Sequence, residues 1–328
     1  MASFNLTLSF MMTHPQDSPM HEPATSKYLL VNLWLMTLMV AVFQIRGAAY
    51  QWSEDPDQSL VLRVQDRPIA RYQFAHDTST QQSRQQTYKP FLHLVDPITQ
   101  RTITKGPGGQ FTHHRGLFIG WNRVKVGANR YDFWHMSQCN QIHTAFLLKE
   151  ISSRGATVSS QIDWVPEGKP PVVREVRTMH LAEGNEPETM SIIDLTSRIT
   201  ALEALELGGD PEHAGIQLRP ANEVDRTKTS FLFPEAGQDP RKDLDLPWVA
   251  EEISLDTSTY TLIHMNHPAN PTPTRYSAYR DYGRFGAFFT AALEAGQTLE
   301  VKYRILAIRA KMPHRAQIEA HYQHWLNP

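Results

Sequence analysis

Hydrophobic and polar residues alternate along much of the chain after residue 50. In segment 191–201, Ile193, Leu195 and Ile199 fall on one side of an extended backbone, and polar residues fall on the other side. Segment 299–305 repeats the pattern. A period of two is typical of a β-strand that buries one face. The pattern therefore predicts strands, not amphipathic helices, for most of the chain.

Further short apolar runs, separated by turns rich in Gly and Pro, extend this prediction. Strands are predicted at 59–64, 68–74, 91–95, 116–121, 143–151, 156–165, 172–181, 215–219, 260–265 and 284–290. One helix is predicted from Pro313 to about Leu326, because Ile318, Tyr322 and Trp325 lie on one stripe. Many short strands with one terminal helix predict an all-β fold, either a sandwich or a doubled ("super") sandwich, over a single domain at 50–328.

The N-terminal 49 residues differ from the rest of the chain. An apolar run at 28–45 follows Lys27 and precedes Gly47 and Ala49, which suits cleavage before Tyr50. The run predicts a signal peptide, with an uncleaved N-terminal anchor as the alternative, and translation beginning at Met1 or Met20. We therefore expect a secreted or periplasmic protein.

Composition narrows the classes of partner. The formal net charge is −2, and no basic tract that would follow a phosphate backbone is present, so nucleic acid is not an expected partner. Beyond a possible N-terminal anchor, no membrane contact is expected. The single cysteine, Cys139, is expected to be a free, buried thiol.

The segment 105–143 concentrates residues that carry chemistry. A glycine-rich loop leads into His113, His114 and Arg115, and Trp134 and His135 follow. Neighbouring residues on an extended chain point to opposite sides, so Arg115 shares a side with His113. An imidazole beside a guanidinium suits an oxygen-rich ligand. We expect His114 and His135 to act as acid or base, and His113, Arg115 and Trp134 to bind substrate.

Later segments supply further candidates. Arg219 ends a predicted strand and is expected to bind substrate, and Glu223 is a candidate general base. His267 and Asn270 are expected at the rim of the site, and Arg280 is expected to bind substrate. A structural ion network that contains Arg280, Asp281 and Arg284 is the alternative for Arg280.

A metal site is a further alternative. Its candidate ligands are His113, His135, His143, His264, His267 and Asp132. Their spacing matches no zinc signature such as His-Glu-x-x-His, so no metal is assigned and the cofactor is unknown.

Several of these motifs, in this order, resemble those of a bacterial secreted family of unknown function, common in planctomycetes and labelled the "methane oxygenase PmoA" family. The matching motifs are His113-His-Arg-Gly-Leu117, Asp132-Phe-Trp134, Gly215-Ile-Gln-Leu-Arg219, His267-Pro-Ala-Asn270 and Arg280-Asp-Tyr-Gly283. The chain departs from the family's Asp-His-Pro, where it has Phe111-Thr-His113, and from its late Asn-Pro-Phe-Gly. The resemblance implies a galactose-mutarotase-like supersandwich.

Together these features predict an exported enzyme that acts on a carbohydrate or sugar derivative, through hydrolysis, elimination or epimerisation. Two alternatives stay open. One is a non-catalytic glycan-binding β-domain, and the other is a metal-dependent oxygenase, as the family label suggests. In each case the expected partner is a small molecule or a glycan.

Overall fold

The computed structural model describes residues 50–56 and 58–328. The expected leader at 1–49 lies outside the described residues. The strands are β1 (Tyr50–Asp55), β2 (Ser59–Val64), β3 (Arg67–Gln73), β4 (Phe91–Leu94), β5 (Leu117–Trp121), β6 (Arg123–Val126), β7 (Asn129–Tyr131), β8 (Cys139–Ser152), β9 (Gly155–Pro166), β10 (Val173–Ala182), β11 (Thr189–Ala201), β12 (Leu205–Gly208), β13 (Ala214–Leu218), β14 (Ser230–Leu232), β15 (Trp248–Leu255), β16 (Ser258–Asn266), β17 (Arg275–Tyr276), β18 (Ala287–Phe288), β19 (Ala291–Leu293) and β20 (Thr298–Ile308). The helices are α1 (Gln81–Thr87), α2 (Arg315–Leu326) and a 3-10 turn at Arg226–Lys228.

These strands form three sheets. The first sheet has the order β1-β2-β3-β4-β5-β13-β18-β17, the second has β14-β15-β16-β20-β11-β10-β9-β8, and a small third sheet has β19-β12-β6-β7. One continuous cluster of buried side chains includes Leu62 of the first sheet, Ile199 of the second and Leu207 of the small sheet. Two large sheets that share one core form a sandwich, so the predicted all-β fold class is confirmed.

Alternation and turn chemistry explain the longest strands. Along β10, buried residues alternate with partly exposed ones, as expected of a strand with one covered face. Between β2 and β3, Gln65 and Asp66 both have positive φ, which is the backbone of a tight hairpin turn that keeps Val64 opposite Arg67.

The predicted terminal helix is also present. In α2, Ile318 and Tyr322 are buried and Trp325 packs beside them against Trp248 and Met265 of the second sheet. The sequence pattern is wrong at 284–290, where only Ala287–Phe288 is a strand. Cys139 is free and buried, as expected.

The small sheet was not predicted, because its strands have only three or four residues and show too little periodicity. Its members β7 and β12 lead directly into the loops that carry the candidate site described below. Within the described residues, no helix is both long enough and apolar enough to cross a membrane.

Candidate functional site

Three histidines from separate loops meet at one place. His113 lies between β4 and β5, His135 follows β7, and His213 precedes β13. One ring nitrogen of each histidine lies within 4.8 Å of one ring nitrogen of both others. The ring centroids of His113 and His135 are 4.3 Å apart, and those of His135 and His213 are 5.0 Å apart. We call these three residues the histidine centre.

Two of the three histidines sit in the same local motif, Asp-x-x-His. In the first copy, Asp132 accepts hydrogen bonds from the backbone N–H groups of Trp134 (3.0 Å) and His135 (2.8 Å). In the second, Asp210 accepts the backbone N–H of Glu212 at 3.0 Å. Asp side chains that bond their own backbone two residues on stabilise tight turns. Each turn brings the histidine ring back over the carboxylate.

In both copies the carboxylate contacts Nδ1 of the ring. The Nδ1–carboxylate distance is 2.8 Å for His135 with Asp132 and 2.6 Å for His213 with Asp210. A carboxylate that accepts Nδ1–H fixes the tautomer and leaves Nε2 as a lone-pair donor. Nε2 of His113 is buried without a hydrogen-bond partner among the described residues. The carboxylates thus leave Nε2 of His135 and His213 free to act as lone-pair donors, and Nε2 of His113 is a third buried ring nitrogen without a partner among the described residues.

The ionisation of these groups agrees with this arrangement. Burial, reinforced by Lys89 and the neighbouring histidines, lowers the pKa of His113 to about 2. Burial also lowers the pKa of His213, although the bond to Asp210 opposes it. Burial opposes ionisation of Asp132 and Asp210, but their hydrogen bonds are sufficient to lower both pKa values. Neutral imidazoles held by ionised carboxylates are the state in which histidine binds a metal ion.

Backbone features around the centre show how tightly the loops are constrained. Phe111 and Met136, close to His113 and His135, have φ values of 54° and 62° although neither is a glycine. Such conformations are uncommon and concentrate at functional sites. In β5, a Cβ on Gly120 would lie 2.3 Å from the carbonyl oxygen of Phe133. Only glycine at this position lets the loop that carries His135 pack this closely.

Trp134 forms the floor of the centre and does not line an open surface. Its side chain is fully buried, with its ring edge-on to His213 at 5.3 Å and against Phe118 at 5.0 Å. The buried amine of Lys89 donates to the Trp134 carbonyl oxygen at 2.6 Å. Trp134 is thus placed in the core, where its indole face is not available for stacking on a sugar.

Arg115 and Arg219 are both predicted to bind substrate. In the structure they are buried, and backbone carbonyl groups accept hydrogen bonds from their guanidinium groups. Arg115 donates to the carbonyl oxygens of Thr112 (2.5 Å), His114 (2.8 Å) and Gln85 (2.6 Å). Arg219 donates to the carbonyl oxygens of Pro220 and Tyr282. Guanidinium groups in these positions hold loops together, because buried carbonyl groups require donors. Substrate binding by Arg115 and Arg219 stays a prediction.

His114 and Glu223, two of the three predicted catalytic residues, are not in the histidine centre. The His114 ring packs 4.4 Å from that of His113 but is only 2% exposed, and burial lowers its pKa further below the usual range. Glu223 is exposed. His135 is the predicted catalytic residue that the centre contains.

Arg280 belongs to an ion network beside the centre. The Glu212 carboxylate accepts hydrogen bonds from Arg280 (2.5 Å), Arg284 (2.6 Å) and the Tyr279 hydroxyl. Glu212 immediately precedes His213, so this network anchors the second Asp-x-x-His loop. Arg280 and Arg284 thus share an ion network, as the structural alternative expected, but Asp281 pairs with Arg226 instead, and substrate binding by Arg280 stays a prediction.

The remaining candidates are elsewhere. His267 packs on Trp325 of α2 at 5.4 Å, and Asn270 exchanges hydrogen bonds with the backbone of Lys302. His264 contacts Tyr276, and His143 packs between Phe74 and Phe146. None of these contacts is with the histidine centre, and the place of His267 and Asn270 at the rim of the site stays a prediction. His213 was missed, although the repeated Asp-x-x-His spacing is a signal that would have found it.

Comparison with known proteins gives a family but no activity. No curated protein matches the sequence. Solved structures that resemble this one include the heparan sulfate lyase HepC of Pedobacter heparinus and a mutant of it. Each has 8% sequence identity, a TM-score of 0.42, and coverage of 88% of this chain and 41% of the lyase chain. The chain thus spans about two fifths of the length of that lyase. Residues 59–323 match a family of unknown function, and the chain therefore belongs to that family, DUF6807.

Proposed function

We propose that this protein is a metal-dependent enzyme whose ion is held by His113, His135 and His213, and that its substrate is a carbohydrate or sugar derivative. The observation that carries the proposal is the convergence of three ring nitrogens, together with the carboxylates that contact Nδ1 of His135 and of His213. Carboxylate–histidine pairs of this kind orient the ligands of protein metal sites.

Three neutral imidazoles suit Zn²⁺ and related transition metals. A tetrahedral ion at about 2.0–2.1 Å would draw the nitrogens, which lie within 4.8 Å of one another, to about 3.3 Å apart. The side chains of His135 and His213 are 36% and 22% exposed, so a fourth position on the ion would face solvent or substrate. Three protein ligands with one open position are typical of catalytic zinc.

The ligand set favours one kind of chemistry. A non-haem iron oxygenase commonly uses two histidines and one carboxylate as direct ligands. Here Asp132 and Asp210 instead contact Nδ1 of the rings. An ion with three imidazole ligands lowers the pKa of a bound water towards 7 and polarises a substrate oxygen. We therefore favour hydrolysis or elimination over the oxygenase reading of the family label, which stays a prediction.

The carbohydrate assignment rests on the sequence motifs given above and on the openness of the centre to solvent. Sugar hydroxyl, carboxylate and ring oxygens are suitable ligands for the open position of such an ion. Export is also part of the proposal. Many polysaccharides occur outside the cytoplasm, and the expected leader would direct the protein there.

The experiment is a turnover assay with the zinc-loaded protein on a panel of neutral and acidic polysaccharides. Release of reducing ends reports hydrolysis, and the ultraviolet absorbance of unsaturated products separates elimination from it. We expect turnover of at least one substrate, lost after chelation, restored by zinc, and absent in His135→Ala but retained in His267→Ala. Turnover that survives chelation or the His135→Ala change would contradict the proposal.

A further inference from the structure

A basic groove lies on the outer face of the small sheet. It has a volume of about 590 Å³ and is lined by Arg123, Lys125, Arg130 and Glu206, with Gly208 and Ala292 among the small residues between them. This volume is within the range of sites that bind small molecules. The four charged side chains are exposed, so the groove is open along its length.

The register of the strands explains why the charges gather there. Lys125 on β6 lies opposite Arg130 on β7 and opposite Glu206 on β12. Arg123 is two residues from Lys125 and so faces the same side. Val124, between these two residues, and Val126, after Lys125, point into the core. One strand pair thus presents three cations in a row on the outer face.

This row is only partly neutralised. The Lys125 amine pairs with Glu206 at 2.7 Å, whereas Arg123 and Arg130 have no ion pair with any described residue. Like charges directly opposite each other on a sheet are destabilising. Two guanidinium groups beside an ammonium group therefore form a surface that an anion would stabilise, and guanidinium binds carboxylate and sulfate groups in a bidentate manner.

The groove leads to the histidine centre along two strands. Tyr131 ends β7, and the next residue is Asp132, which orients His135. Gly208 ends β12, and after Gly209 comes Asp210, which orients His213. The strands that form the floor of the groove are therefore continuous with the two carboxylates that position the ligands.

From this placement we propose that the groove binds the acidic groups of an anionic oligosaccharide, whose uronate or sulfate oxygens contact Arg123 and Arg130. This inference rests on the proposed function, since it names the substrate class of the histidine centre. No aromatic side chain lines the groove among the described residues. Stacking of nucleic-acid bases thus has no platform there, and three cations on a chain of net charge −2 make a weak track for a phosphate backbone.

The test is calorimetric titration of the zinc-loaded full chain with four probes. These are a heparin-derived hexasaccharide, a galacturonic acid hexamer, neutral maltohexaose and a 12-base-pair DNA duplex. The groove variant is Arg123→Gln/Arg130→Gln. The control is Arg154→Gln/Arg198→Gln, which removes the same charge from exposed positions outside the groove. Thermal melts establish that both variants fold.

We expect at least one acidic hexamer to bind more tightly than maltohexaose, with affinity that falls as salt rises. The groove variant is expected to weaken this binding by about 10- to 100-fold, because each charge-assisted contact contributes on the order of one tenfold step. The control variant is expected to retain it. Equal losses in the two variants, preference for maltohexaose, or tighter binding of the DNA would each overturn the inference.

Zinc content, measured on the same samples, separates this inference from the proposed function. Groove-dependent binding of an acidic hexamer by a protein that takes up no zinc would support the groove and contradict the proposed function. Zinc uptake without groove-dependent binding would overturn the groove assignment and leave the proposed function standing.

Discussion

Two histidine-containing regions of this protein look alike in sequence and differ in structure. The histidine centre combines His113, His135 and His213, while the late segment at 264–270 contains His264 and His267. Both regions place histidines near loops and beside aromatic residues. In the centre, ring nitrogens from three loops converge within 4.8 Å. In the late segment, the two histidines make separate contacts, one with Tyr276 and one with Trp325.

The difference lies in what holds each ring. His135 and His213 each have a carboxylate on Nδ1, which fixes the orientation of the ring, and one ring nitrogen of each converges with one of His113. His264 is bonded to a neutral hydroxyl inside the core, and Nδ1 of His267 accepts the backbone N–H of Ala269. A carboxylate partner and convergence, more than the number of histidines, therefore distinguish a candidate metal site from structural histidines.

Removing a ring from the centre should give the largest difference between the two regions. For His113→Ala, His135→Ala or His213→Ala, we expect zinc affinity to fall by more than about 100-fold, since each change deletes a direct ligand. This loss is larger than the loss typical of removing a residue that only orients a ligand. His267→Ala and His264→Gln are the matched changes in the late segment and should keep the affinity. Competition with a chromophoric chelator measures both sets. Equal losses of zinc affinity in the variants of the two regions would show that the histidine centre is not a metal site distinct from the late histidines.

The next largest effect concerns Arg115, which is adjacent to the centre but belongs to the scaffold. In Arg115→Lys an ammonium group cannot reach all three carbonyl oxygens that the guanidinium contacts. We expect the free energy of unfolding to fall by about 2–4 kcal/mol, because each stranded buried acceptor costs about 1–3 kcal/mol. Denaturant titration measures the change, with Arg154→Lys as the exposed control. Unchanged stability with lost ligand binding would return Arg115 to a substrate-binding role.

A smaller effect is expected at the carboxylates that orient the rings. Asp210→Asn weakens the contact with His213 and should lower zinc affinity by about 10- to 100-fold without abolishing binding. Asp194→Asn, which breaks an ion pair with Arg304 in the second sheet, is the matched change elsewhere. Zinc affinity equal to that of the unmodified protein in Asp210→Asn would show that the carboxylate does not support the site.

The alternation of hydrophobic residues predicted β10, β11 and β20 of the second sheet, since each is long enough to show a period and has one covered face. A helical stripe predicted α2, whereas β1, β14, β15 and β17 of the large sheets were not predicted. The Lys105–His143 segment was also recognised, so His113 and His135 were found. The roles of Arg115 and Arg219 were not recognised. A linear sequence does not show that backbone carbonyl groups from distant loops will accept the hydrogen bonds of a guanidinium group. His213 was overlooked, although it shares the Asp-x-x-His spacing of His135.

A further predicted effect is a pH dependence in the late segment. Burial lowers the pKa of His264 to about 3, so the folded protein keeps this ring neutral while the unfolded chain takes up a proton below about pH 6.5. The stability that the neutral ring contributes is therefore fully present above pH 6.5 and is lost as the pH falls towards 3.

In His264→Gln, the fall in unfolding free energy between pH 6 and pH 4 should be shallower by about 1.4 kcal/mol per pH unit. Urea unfolding at a series of pH values measures the slope, with His324→Gln on α2 as an exposed control. A slope unchanged from that of the unmodified protein would show that His264 takes up its proton in the folded state.

The central claim is that His113, His135 and His213 hold one metal ion, and anomalous diffraction tests it most directly. Crystals grown with zinc, measured on both sides of the zinc absorption edge, locate the ion independently of the protein. We predict one strong anomalous peak per chain at about 2.0–2.1 Å from a nitrogen of each of the three rings. A protein free of such a peak between these rings, or with zinc bound only at the late histidines or the surface, would contradict the account.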